Sequence, residues 1–133
     1  MVVVVDTNIL FSALLREDTQ LAETLFLADA EFVAPQFAIV ELFKYKEKIT
    51  RYSHMEEVEL LDMLDLLLKR IHFIQTDQLP LIYRQQAYEL CKSIDIKDAP
   101  FVALTLARQG VLWTGDKKLI RGLKQQGFHH FFG

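Results

Sequence analysis

The stretch MVVVVDTNIL, residues 1–10, decides the fold. Four consecutive valines, Val2 to Val5, run into Asp6, Thr7 and Asn8, and then into the apolar Ile9, Leu10 and Phe11. An unbroken β-branched run ended by a polar break is the pattern of a strand covered on both faces. It places Asp6 at the carboxyl end of a central strand, the edge where open parallel sheets bind their ligands. Taken alone, the residues leave a second reading open. Asp6, Thr7 and Asn8 are all good N-caps for a helix that starts near Ile9.

Outward from this strand the chain alternates. Residues 8–15 and 19–29 read as helices, with Thr19 as a possible cap, and EFVAP (31–35) as a short strand stopped by Pro35. Residues 36–51 and 54–70 read as two helices joined near Ser53, RIHFIQT (70–76) as a strand, and residues 79–94 as a helix after Pro80. DAPFVALTLARQG (98–110) has Pro100 in its first turn and Gly110 just past its end, the usual helical asymmetry. VLWT (111–114) is a strand, residues 116–127 a helix, and FHHFF (128–132) a last strand. Strands separated by helices predict a three-layer α/β fold with a mostly parallel sheet of about five strands, and one domain over 1–133. The helical pair in 36–70 departs from simple alternation. VELLDMLDLLL within it is apolar on more than one face, which implies deeper burial or a face against a second subunit or partner peptide.

With 133 residues and 51% hydrophobic content the chain can build a core. Its net charge of -3 gives no global pull toward nucleic acid, so such contact needs a local basic patch. The single cysteine, Cys91, excludes an internal disulfide and reads as a small buried hydrophobe. The valine run is too short and lacks the basic flank of a signal peptide. No apolar stretch reaches the ~18 residues of a membrane span, so a cytoplasmic protein is expected.

Four acids fall at suggestive places. Asp6 follows the first strand, Glu41 lies in the helix after the second, Asp98 opens a helix, and Asp116 follows VLWT. A parallel sheet puts these junctions on one edge, so the four could share a crevice. Each also has a plain structural reading. Asp98 and Asp116 (or Thr114) could cap helices, and Glu41 could be a solvated residue paired with Lys44. On a helical wheel Glu41 falls toward Lys44, Tyr45 and Lys48, away from Ile39 and Phe43 on the expected core side. Two carboxylates ~4 Å apart repel by about 4 kcal/mol at an effective dielectric of ~20. A cluster therefore needs a counter-cation or raised pKa values. Mg²⁺ answers this with a few carboxylates and several waters, leaving room for phosphate oxygens.

At this point the sequence resembles the PIN domain family. The segments are MVVVVDTNIL, a Glu in the helix after the second strand, DIKDAPFVALTLA, and VLWTGDKKL, in that order from residue 1 to about 124. The resemblance implies a nuclease with Mg²⁺ or Mn²⁺ held by Asp6, Glu41, Asp98 and Asp116. It implies that Asn8 and Thr114 orient ligands or waters. Chains of this size are similar to VapC-type toxins, which implies a type II toxin–antitoxin pair, RNA as substrate, a homodimer and inhibition by a small antitoxin. Asp95 is an alternative or accessory to Asp98, and Glu47 a weaker fallback for Glu41.

The substrate side is less specific. Lys44, Lys46, Lys48 and Arg51 line the helix carrying Glu41, and Lys92, Lys97, Lys117, Lys118, Arg121 and Lys124 lie near the other acids. Such a rim suits a phosphate backbone. Lys117 is the first candidate for substrate contact because it adjoins Asp116. His129 and His130 would point to opposite faces of a strand, which argues against a metal there. Trp113 should pack beside its strand. Two other functions compete. One is a PIN-like module that binds RNA or a partner without cutting. The other is phosphoryl transfer through Asp6, disfavoured because Asn8 stands where such enzymes carry a second Asp.

Overall fold

The computed structural model describes residues 1–15 and 19–133, without the side chain of Thr19. The proposed Thr19 cap therefore lies outside the described residues. Strand β1 (Val2–Val5) is central, as the valine run predicts, with Val3, Val4 and Val5 fully buried. It pairs in parallel with β2 (Glu31–Pro35) on one side and β4 (Val111–Trp113) on the other. β3 (His72–Ile74) adds to β2, giving the order β3-β2-β1-β4 with every pairing parallel. The chain leaves β1 toward β2 and returns on the other side as β4. The switch point thus lies beside Asp6, where an open α/β sheet has its crevice.

The described residues form eight α-helices. Helices α1 (Thr7–Leu15) and α2 (Thr19–Leu27) follow β1. The stretch expected as one helix over 36–51 breaks at Tyr45, whose φ of -105° and ψ of 18° leave the helical well. It forms α3 (Phe37–Lys44) and α4 (Lys46–Tyr52), followed by α5 (Glu57–Arg70) after an extended Ser53. Arg70 ties this region to the sheet layer. It donates to the Leu25 and Ala28 carbonyls beside the end of α2, and its guanidinium sits 4.7 Å from the Phe32 ring centroid. Helix α6 (Leu81–Cys91) carries the buried Cys91, whose thiol burial pushes up to about 12, so it behaves as a hydrophobe.

Helix α7 (Ala99–Arg108) buries Phe101 to Thr105 without interruption and packs on α6 and on the sheet. It ends on Gln109 in the left-handed region (φ 51°), so Gln109, and not Gly110, fills the reversal position. Gly110 serves a close approach instead: a Cβ there would stand 2.5 Å from the Val2 carbonyl oxygen. Helix α8 (Lys117–Gln125) closes the described helices.

Three further expectations need correction. The sheet has four strands, not five. FHHFF touches β4 through one bridge, Leu112 to Phe131, because the segment curls. The Phe128 and Phe131 rings meet edge to face at 5.4 Å, a contact that an extended backbone would not allow three residues apart. His129 and His130 are consequently both exposed. The core side of α3 is Ala38 and Leu42, while Ile39 and Phe43 face outward. Helix α5 buries only Leu67 and leaves Val58, Leu61, Leu66 and Leu68 exposed, which overturns the deep-burial reading of its apolar faces. No helix among the described residues is long and apolar enough to cross a membrane.

Candidate active site

Asp6 sits one residue past β1 and is only 6% exposed. Its own backbone N–H continues the ladder by donating to the Trp113 carbonyl at 2.9 Å, which locks the β1 and β4 ends together. Its carboxylate is held from two sides. The Thr7 amide donates to Oδ1 at 2.7 Å, and the Thr114 hydroxyl donates to Oδ2 at 2.6 Å. Such short donors to an ionised acceptor are the strong kind. They do not offset burial: desolvation comes first, and with the charges of Glu41 and Asp116 it raises Asp6 from 3.8 to about 6.

Thr7 joins a second acid to the site. Its hydroxyl donates to Glu41 Oε1 at 2.6 Å while its amide serves Asp6. One residue thus fixes two carboxylates from different elements. In sequence Thr7 reads as no more than a possible helix cap. Its signal was its place directly after the acid, which turns its amide and hydroxyl toward whatever that acid faces. Among the described residues Glu41 forms no ion pair with Lys44, and Glu47 is exposed in α4.

Thr114 is the hub on the β4 side. Its one hydroxyl hydrogen goes to Asp6, and its oxygen accepts from the Asp116 amide at 3.1 Å and the Asn8 side-chain amide at 3.4 Å. A hydroxyl has one donor and two acceptor positions, so Thr114 is saturated. The Asn8 carbonyl oxygen in turn accepts from the Gly115 amide at 3.3 Å. Asn8 and Thr114 therefore hold the ends of β1 and β4 in fixed relation. Asp116 caps α8: its Oδ1 accepts from the Leu119 amide at 3.1 Å, which leaves Oδ2 without that duty.

Asp98 and Asp95 separate cleanly. Asp95 is exposed and accepts from the Lys97 amide at 3.0 Å, capping the 3-10 turn over Ile96–Asp98. Asp98 is half-buried, and its side chain makes no capping bond to α7. Its carboxyl is raised from 3.8 to about 7, first by burial and then by the charges of Asp6, Asp95, Asp116 and Glu41. The capping explanation thus fails for Asp98, and its carboxyl feels all three other candidate acids. Lys117 is exposed at the first position of α8. Lys92 pairs with Glu89 at 2.6 Å on the exposed face of α6 and its cap.

The donor set consists entirely of oxygens, the chemistry of a hard divalent cation. No group of three or more His, Cys, Asp or Glu among the described residues is arranged as a ready-made ion cage. As the side chains lie, an ion here would meet one or two carboxylates and complete its shell with water.

The fold has a solved relative. VapBC2 from Rickettsia felis, bound to a DNA fragment from their promoter, superposes with a TM-score of 0.69 at 18% identity, covering 91% of this chain and 92% of that one. This likeness shows the shared fold. No curated protein matches the chain. The PIN domain family matches residues 4–130, a span that includes all four acids, and the chain belongs to the PIN domain family.

Proposed function

We propose that this chain is a divalent-metal-dependent endoribonuclease that hydrolyses phosphodiesters, and the toxin of a type II toxin–antitoxin pair acting in the cytoplasm. The observation that carries the reading is Asp98. It is half-buried, takes no part in capping, and is raised to about 7 by burial first and then by the charges of Asp6, Asp95, Asp116 and Glu41. A fold has little structural reason to half-bury a carboxyl that caps nothing among other acids, whereas such raised values are common at functional sites. Mg²⁺ or Mn²⁺ would be held by carboxylates drawn from Asp6, Glu41, Asp98 and Asp116, directly by one or two and through water by the others. When bound, such an ion supplies a water of lowered pKa and positive charge against the phosphate oxygens.

The chain's own residues prepare the site. Thr7 and Thr114 hold Asp6 in one orientation, and Thr7 brings Glu41 to it. Asn8 keeps the loop after β4 in register with α1. Lys117, exposed beside Asp116, offers an ammonium to a phosphate.

The uncovered apolar face of α3 and α5 supports the partner side of this reading. Ile39, Phe43, Leu61 and Leu68 border an apolar groove of about 330 Å³ between the helices. A small antitoxin or a second copy of the chain would cover it.

The test is cleavage of structured and unstructured RNA with Mg²⁺, with Mn²⁺ and with EDTA, for wild type and Asp6→Asn. Cleavage that needs the ion and disappears in the variant is expected. RNA binding without cleavage under either ion would move the assignment to a non-catalytic PIN-like binding module.

A further inference from the structure

Thr7 and Phe11 lie four apart on α1, and Glu41 and Tyr45 four apart along α3 and its cap, so each pair shares a helical face. The two faces meet twice. Thr7 bonds Glu41, and about one turn (~5.4 Å) further out the Phe11 and Tyr45 rings meet edge to face at 5.7 Å. Beyond that ring contact lies a hollow of about 290 Å³, bordered by Phe11, Leu15, Tyr45, Lys48 and Ile49. Its size is at the small end of the ~300–1,000 Å³ range of ligand pockets.

The segment that supplies Tyr45, Lys48 and Ile49 to the hollow is out of character for the chain in charge. Residues 43–52, FKYKEKITRY, carry Lys44, Lys46, Lys48 and Arg51 against one acid, Glu47, in a protein of net charge -3. All four cations are exposed, and among the described residues none forms an ion pair. Lys44 instead lies 5.5 Å from the Tyr45 ring centroid, while Lys46, 4.4 Å from that of Phe43, borders the separate apolar groove with it. Exposed rings interleaved with unpaired cations are the chemistry of a single-strand platform, where bases stack and ammonium groups track phosphates.

We propose that the hollow between α1 and the α3–α4 junction receives one unpaired nucleobase of a single-stranded RNA. Tyr45 is the stacking ring, held at a set tilt by Phe11, and Lys48 binds a neighbouring phosphate. The proposal rests on the ribonuclease reading and adds a positioning pocket to it. A base held about a turn away from the Thr7–Glu41 contact fixes which phosphodiester lies over the carboxylates.

The experiment walks a single abasic nucleotide along an unstructured oligoribonucleotide with one cut site. In wild type, one abasic position at a fixed offset from the cut lowers kcat/KM about tenfold, the size of a base–aromatic stack. In Tyr45→Ala every position cleaves alike at the lowered rate, and Tyr45→Phe restores the wild-type profile. Lys48→Ala weakens binding and lowers the slope of log affinity against log salt by about 0.7, one phosphate contact on a single strand. An identical abasic profile in wild type and Tyr45→Ala overturns the pocket while Asp6→Asn still reports on the nuclease. If wild type cleaves nothing, fluorescence anisotropy of the same oligonucleotides in EDTA decides. A tenfold loss in Tyr45→Ala upholds the pocket and equal affinity overturns it. A changed oligomeric state of Tyr45→Ala by light scattering, with RNA affinity unchanged, assigns the hollow to a contact between copies and also overturns it.

Discussion

Thr114 donates its hydroxyl hydrogen to Oδ2 of Asp6 across 2.6 Å, although 108 positions separate them in the chain. The bond favours the ionised form of a carboxylate that burial pushes the other way. Thr114→Val keeps the shape and removes the donor. Asp6 should then rise further above about 6, moving the acid limb of the cleavage profile to higher pH. Mn²⁺ affinity should fall about 10- to 100-fold, the usual cost of losing a group that orients a ligand. Calorimetric Mn²⁺ titration and a pH–rate profile check this, with Thr114→Ser expected to restore both. Unchanged affinity would reduce Thr114 to a strut between β1 and β4.

The parts of this site that were legible in sequence are those that depend on one strand's ending. Val2–Val5 predict a central strand with Asp6 past its end and Asp116 past VLWT, while Thr114, expected as the last residue of VLWT, lies just beyond β4. What could not be read depends on which way a side chain turns. Thr7 looked like a cap because its two hydrogen bonds, to Asp6 and Glu41, join parts of the chain that meet only after folding. Ile39 and Phe43 looked like core because apolar residues usually are, yet α3 buries Ala38 and Leu42 instead. FHHFF alternates too little to separate a strand from a curled aromatic turn, and ring packing chose the turn.

The end of α7 makes a stability prediction independent of function. Gln109 has φ 51°, a conformation costing a non-glycine residue roughly 1–2 kcal/mol. Gln109→Gly relieves that strain at some entropic cost and should raise the melting temperature by a few degrees. Gly110→Ala should do the reverse. Its Cβ would press on the Val2 carbonyl at 2.5 Å, and overpacking of this kind costs roughly 1–3 kcal/mol. Thermal unfolding of both variants checks the pair, and a stable Gly110→Ala would mean that β1 shifts to make room.

Metal-free stability should depend on pH in an unusual direction. Asp6 at about 6 and Asp98 at about 7 both stand above the ordinary 3.8. Between about pH 4 and 7 the folded protein thus retains protons that the unfolded chain has released. Stability from these groups is complete below about pH 4 and is lost as pH rises through 6 for Asp6 and 7 for Asp98. Asp98 is partly exposed, so solvent screening reduces its share. In EDTA the protein should melt several degrees higher at pH 5 than at pH 8. Asp6→Asn should show a smaller difference, and added Mn²⁺ should stabilise most at the higher pH, where the acids are ionised. The same pH dependence in wild type and Asp6→Asn would remove Asp6 as its source.

Asp95 and Asp98, three residues apart, give the sharpest separation of structure from chemistry. The Asp95 carboxylate is committed to the Lys97 amide, and asparagine caps as well as aspartate does. Asp95→Asn should therefore keep both the fold and near-wild-type cleavage, with only a small change from the lost charge near Asp98. Asp98 caps nothing, is half-buried and feels the charges of four other acids. Asp98→Asn should leave the melting temperature equal or higher in EDTA, because it removes a charge that the fold disfavours. It should also abolish cleavage and the stabilisation by Mn²⁺. Melting curves with and without Mn²⁺, beside the cleavage assay, read both variants at once. If Asp95→Asn were the inactive one, the carboxylate facing the substrate would be Asp95, and the 3-10 turn would have to reopen to present it.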